Sequence, residues 1–115
     1  MKPQRDQRRS PREMCSEFVE LTWTDARSQP HACFGILEEV SPEGMGLCLD
    51  RGLPVDTIVH LHTRGFEGKG QVRYCNLADV GYLAGLEFLD GLSWNRERWR
   101  PRHLLEATGR SGRGV

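Results

Sequence analysis

Six short stretches of alternating apolar and polar residues, each closed by a turn signal, constrain this chain more than any other feature. Successive strand residues point to opposite faces, so alternation with period two marks a half-buried strand. In residues 17–24, Val19, Leu21 and Trp23 point one way, Glu20 and Thr22 the other. A turn or hairpin loop over 25–30 leads to a second strand over 32–40, with Phe34 and Ile36 on one face. Ser41-Pro42-Glu43-Gly44 reverses the chain, with Pro fixing φ and Gly at a position suited to positive φ. Met45, Leu47 and Leu49 then define a third strand, antiparallel to the second. After the turn Asp50-Arg51-Gly52-Leu53-Pro54, a fourth strand over 57–63 sets Val59 and Leu61 against His60 and His62. Residues 64–68 break the pattern, and strands over 70–75 and 82–88 flank a loop at 76–81. Val72 and Tyr74 share a face of the fifth strand; Ala84, Leu86 and Phe88 share one in the sixth. Six such strands imply an all-β antiparallel barrel or sandwich, and closing the sheet protects its edges.

The rest of the chain frames that unit. With 115 residues it holds one domain at most, and 13 glycines and 6 prolines favour short strands over a helical bundle. Residues 1–12 read as a flexible basic arm, residues 13–108 as the barrel domain and residues 109–115 as a disordered Gly/Arg/Ser tail. Trp94, Arg98 and Trp99 have helical spacing and Pro101 interrupts it. A short turn and then a short C-terminal helix are therefore expected, with Leu104 and Leu105 packing on the barrel and the tryptophans as anchors. No apolar run is long enough to span a bilayer and the start is basic and polar. The expectation is a cytoplasmic protein with no signal peptide and no membrane insertion.

A formal net charge of zero hides an asymmetry. Lys and Arg number 5 in residues 1–12, 5 in 13–93 and 6 in 94–115, whereas Asp and Glu number 1, 13 and 2. Both ends are basic and the middle is acidic, so an anion belongs near the ends. Cys15, Cys33, Cys48 and Cys75 lie in or near apolar runs with no Cys-x-x-Cys, which suits small buried hydrophobes better than disulfides. His60-x-His62 and His31-x-Cys33 offer paired ligands but no zinc spacing, so no metal and no cofactor is expected. No Ser, Cys or His stands in a recognisable nucleophile context, so catalysis is not expected.

Two segments carry complementary chemistry. Arg8-Arg9-Ser10-Pro11-Arg12 precedes the first strand, and Glu39-Val40-Ser41-Pro42-Glu43-Gly44 forms the turn after the second. Guanidinium forks bind phosphate oxygens bidentately and stack on base faces, and a carboxylate accepts the two N–H donors of guanine's Watson–Crick edge. A solvated charged end and an ordinary hairpin turn are the plain readings of these segments taken singly. Together they suit a guanine nucleotide, provided the guanidinium groups reach the turn and are not tied up in internal ion pairs.

On these residues the chain resembles a PilZ domain, the small bacterial barrel that senses cyclic di-GMP. The resemblance rests on Arg8-x-x-x-Arg12, on Glu39-x-Ser41-x-x-Gly44, and on the strands Gly70-Gln71-Val72-Arg73-Tyr74 and Gly85-Leu86-Glu87-Phe88, and covers about residues 8–90. It implies a six-stranded antiparallel barrel of PilZ type. It also assigns Arg8 and Arg12 to phosphate and base contacts and Ser41 and Gly44 to the pocket floor, with Arg9 as a neighbouring contributor. Arg5-x-x-x-Arg9 is a second register, ranked lower because Arg12 lies closer to the first strand. The family pattern has Asp or Asn where this chain has Glu39, an extra methylene that can misplace the base contact at a cost of ~1–3 kcal/mol.

The leading expectation is therefore a regulatory domain, not an enzyme. Cyclic di-GMP orders its arginine-rich arm against the turn, and an unidentified downstream protein reads the changed surface. The alternative is a PilZ-like protein-interaction module that does not bind nucleotide, which the Glu39 departure allows. A nucleic-acid binder using Arg96, Arg98, Arg100 and Arg102 ranks third, because the strands lack a basic and aromatic stripe for stacking.

Overall fold

The computed structural model describes residues 11–105, and Arg8 and Arg9 lie outside them with the rest of residues 1–10 and 106–115. Six strands follow in order: β1 (Glu13–Thr24), β2 (Pro30–Ser41), β3 (Gly44–Leu49), β4 (Ile58–His62), β5 (Glu67–Leu77) and β6 (Tyr82–Phe88). They close into an antiparallel barrel in the order β1-β2-β3-β6-β5-β4, with β1 meeting β4 over Glu20–Thr22 to seal it. Among the described residues no helix is long and apolar enough to cross a membrane.

Alternation produces the interior. Val19 and Leu21 of β1, Met45, Leu47 and Leu49 of β3, Val59 and Leu61 of β4, and Ala84, Leu86 and Phe88 of β6 are all buried. Each large aliphatic side chain taken from water this way contributes about 1.5–3 kcal/mol. On β2 the expected face is reversed: Cys33, Leu37 and Val40 point inward, and Phe34 and Ile36 point to solvent. Both faces of residues 33–37 are apolar, so alternation alone does not choose between them. Tyr74 also leaves the face of Val72, because a register shift between Val72 and Tyr74 inserts one residue against β6 and turns the ring outward.

The connection between β4 and β5 is tighter than the sequence suggests. Thr63 Oγ1 donates to the carbonyl of Phe66 at 2.6 Å and accepts from its N–H at 3.1 Å, with Gly65 at φ +104°. Phe66 is thereby core and not loop, stacking on Trp99 with centroids 5.3 Å apart.

After β6 the chain packs back onto the barrel without forming a helix among the described residues. One turn forms at Asn95, whose carbonyl accepts from the N–H of Arg98 and of Trp99. The anchors are the expected tryptophans: Trp94 Nε1 donates to the carbonyl of Trp99 at 2.8 Å, and Trp99 Nε1 to that of Arg64 at 2.9 Å. The buried Glu17 carboxylate accepts from the Arg102 N–H at 2.9 Å and from Arg64 Nη2 at 3.2 Å. The segment is thus tied to β1 by fixed partners, and Pro101 lies where a helix would need a donor. Leu104 packs on the core, whereas Leu105 is exposed.

Candidate functional site

Arg12, Glu39, Ser41 and Gly44 line a single cleft of about 520 Å³ on the outer surface of the barrel. Strand register brings them together. Met14 pairs with Glu39 and Glu13 with Val40, which delivers the residue before β1 to the far end of β2. Arg12 Nη1 then lies 2.8 Å from Glu39 Oε2.

The turn itself is braced. The carbonyl of Glu43 accepts from the N–H of Phe88 at 2.8 Å, and that of Pro42 from the N–H of Trp94 at 3.3 Å. Ser41 is buried and its hydroxyl donates to Glu43 Oε1 at 3.3 Å. Gly44 is not at positive φ, contrary to the expectation for this turn. It is glycine because a Cβ would stand 2.0 Å from the carbonyl oxygen of Leu86 on β6.

The floor is built from residues outside the expected set. Gly46 of β3 and Gly85 of β6 are direct cross-strand partners. On one flank Gly46 pairs with Glu39, and on the other Gly85 pairs with Tyr74. The Glu39 side chain lies over Gly46, its Cγ 2.6 Å from where a Cβ would be, and the Tyr74 ring lies over Gly85, 2.3 Å from that position. The two glycines thus seat a carboxylate and an aromatic ring side by side, close against the barrel wall.

Charge in the cleft is mixed. Among its described lining residues, the guanidiniums of Arg12 and Arg73 face the carboxylates of Glu39, Glu43 and Glu87. Arg73 lies 3.5 Å from Glu87 Oε1 and 3.9 Å from Asp56 Oδ1. On β1, burial first and then the field of Glu17 and Glu39 push the Cys15 thiol up to about 12, and its Sγ faces the carbonyl of Leu37.

The chain matches no protein-family model and no curated protein. Elsewhere, all four cysteines are free thiols. The His60 and His62 rings stack 5.4 Å apart, and His31 joins Asp25 at 2.7 Å while stacking on Trp23. Among the described residues no group of three or more His, Cys, Asp or Glu could hold a metal ion.

Proposed function

We propose that this barrel is a cyclic di-GMP-binding regulatory domain of PilZ type, with the ligand held in the cleft between Arg12 and the Glu39–Gly44 turn. The observation that carries this reading is the convergence of Arg12, Glu39, Ser41 and Gly44, separated by up to 32 residues in sequence, on one cleft. Gly46 and Gly85 let the Glu39 carboxylate and the Tyr74 ring lie close to the backbone, so a base entering the cleft meets an acceptor beside a ring face.

The Arg12–Glu39 pair opposes this reading in part and is weighed by its size. Both side chains keep a quarter to a third of their surface exposed, 32% and 25%. A pair so placed is worth only ~0.2–1 kcal/mol. A phosphate engaging Arg12 bidentately recovers more than that. The excess of carboxylates among the described lining residues leaves a dianion short of cations, and in this reading Arg8 and Arg9 supply them.

The same pair supports the alternative of a protein-interaction module that does not bind nucleotide, since Glu39 occupies the guanidinium that phosphate would use. Nucleic-acid binding through the C-terminal arginines is weaker: Arg96 pairs with Glu13, Arg98 donates to the Ser93 carbonyl, and Arg102 Nε lies 3.9 Å from Glu17 Oε2. The test is a titration of isotope-labelled protein with cyclic di-GMP, with cyclic di-AMP as control. Amide shifts concentrated at Glu39, Ser41, Gly46, Tyr74 and Gly85, with the guanine compound only, support the ligand reading. Unchanged spectra favour the interaction module.

A further inference from the structure

A second surface lies beside the cleft on the same outer face of the barrel. Strand register aligns Phe18 of β1 with Ile36 of β2, Ile36 with Cys48 of β3, and Cys48 with Leu83 of β6. All four point outward, and Phe34 joins them by stacking on Phe18 with centroids 5.8 Å apart. Phe18 is 58% exposed, Leu83 44%, Phe34 43% and Ile36 39%. Val80, exposed in the β5–β6 loop, extends the row where its carbonyl accepts from Cys48 Sγ. Single exposed apolar residues need no explanation, but a continuous row crossing four strands marks an interaction surface.

The charge around this row identifies its occupant. β1, β2, β3 and β6 contain no Lys and no Arg, and their charged residues are Glu13, Glu17, Glu20, Glu38, Glu39 and Glu87. Glu20 follows Phe18 on the outer face, Glu38 is exposed beyond Ile36, and Asp50 closes the row beside Phe34, whose N–H it accepts. Glu20 and Glu38 form no ion pair among the described residues. Arg51, the cation next in sequence, lies over the Trp23 ring instead.

We infer that this acidic-rimmed apolar row docks a cationic amphipathic segment of a partner protein, apolar residues on the row and Lys or Arg on the rim. A second copy would set acidic rim against acidic rim, which like charges oppose. An anionic lipid surface is repelled for the same reason. Residues 1–10 and 106–115 hold only Met1, Ala107 and Val115 as apolar non-proline, non-glycine residues, too few to cover the row. This inference does not depend on nucleotide binding.

The probe is a pair of designed amphipathic peptides with identical leucine faces, one with lysine and one with glutamate on the polar face. Binding is measured by fluorescence anisotropy and mapped by amide shifts, without nucleotide. The lysine peptide is expected to bind and to shift the outward residues of β1, β2, β3 and β6, with the glutamate peptide at least about tenfold weaker. Phe18→Ser with Phe34→Ser is expected to weaken the lysine peptide about tenfold or more. Glu20→Lys with Glu38→Lys, which leaves the apolar row intact, is expected to reverse the preference between peptides. Failure of the lysine peptide to bind, equal binding by the serine variant, shifts confined to the cleft, or a wild-type dimer abolished by the serine changes would overturn the inference.

Discussion

Arg12 and Glu39, 27 residues apart in sequence, meet at 2.8 Å across the mouth of the one cleft that gathers the described residues of the arginine and Ser-x-x-Gly patterns. Glu39 is both the expected base acceptor and the group that holds the guanidinium proposed to bind phosphate. These two roles compete.

Glu39→Asn separates them. It keeps an acceptor over Gly46, removes one negative charge from the cleft and releases Arg12. Cyclic di-GMP affinity is expected to rise about tenfold, ~1.4 kcal/mol, measured by calorimetry at fixed salt. A loss of affinity would show that the longer carboxylate is itself the ligand contact.

Gly44 and Gly85 fail differently when a methyl is added. At Gly44 the obstacle is the backbone carbonyl of Leu86, so Gly44→Ala must distort the β3–β6 ladder. It is expected to cost ~1–3 kcal/mol in urea unfolding. At Gly85 the obstacle is the half-exposed Tyr74 ring, which can swing outward. Gly85→Ala should cost less stability than Gly44→Ala while weakening the ligand.

Cys15 and Cys33 should resist alkylation in the native state. Burial is the first cause for both, pushing Cys15 up to about 12 and Cys33 to about 11. The thiolate is the reactive form, so both thiols stay inert at mildly alkaline pH. Intact-mass analysis after iodoacetamide treatment is expected to show no more than two labels, on Cys48 and Cys75, until denaturant is added.

Asp25 ties the β1–β2 turn together. Its Oδ1 accepts from the N–H groups of Arg27 and Gln29, and its Oδ2 lies 2.7 Å from His31 Nε2. The bond to His31 is the first cause holding its carboxyl below the usual aspartate range. A depressed folded pKa contributes stability above the unfolded pKa, ~3.9, and that contribution is lost as pH falls through the lower folded value. Urea midpoints of wild type and Asp25→Ala should therefore differ at neutral pH and draw together as pH falls through the lowered folded value.

Much of this was legible in the chain. Alternation located the six strands, and the inward faces of β1, β3, β4 and β6, because in each the apolar residues on one side outnumber those on the other. It could not orient β2, where Phe34 and Ile36 compete with Cys33 and Leu37. It could not foresee the shift at Arg73 that turns Tyr74 out, since a bulge depends on the partner strand. Phe66 was lost inside a glycine-flanked turn, and a helix was expected where Trp94 and Trp99 instead hold an irregular segment. At the site the arginine and the turn were visible as motifs. The Gly46–Gly85 pair that seats Glu39 and Tyr74 was not, because it exists only through the pairing of β3 with β6.

The most direct test is calorimetric titration of cyclic di-GMP into wild type and Arg12→Ala, with unfolding midpoints confirming that both are folded. The proposal predicts saturable binding to wild type and an affinity at least about tenfold lower for the variant, one charge-assisted phosphate contact being worth ~1.5–3 kcal/mol. Equal affinities, or no heat with wild type, would contradict it.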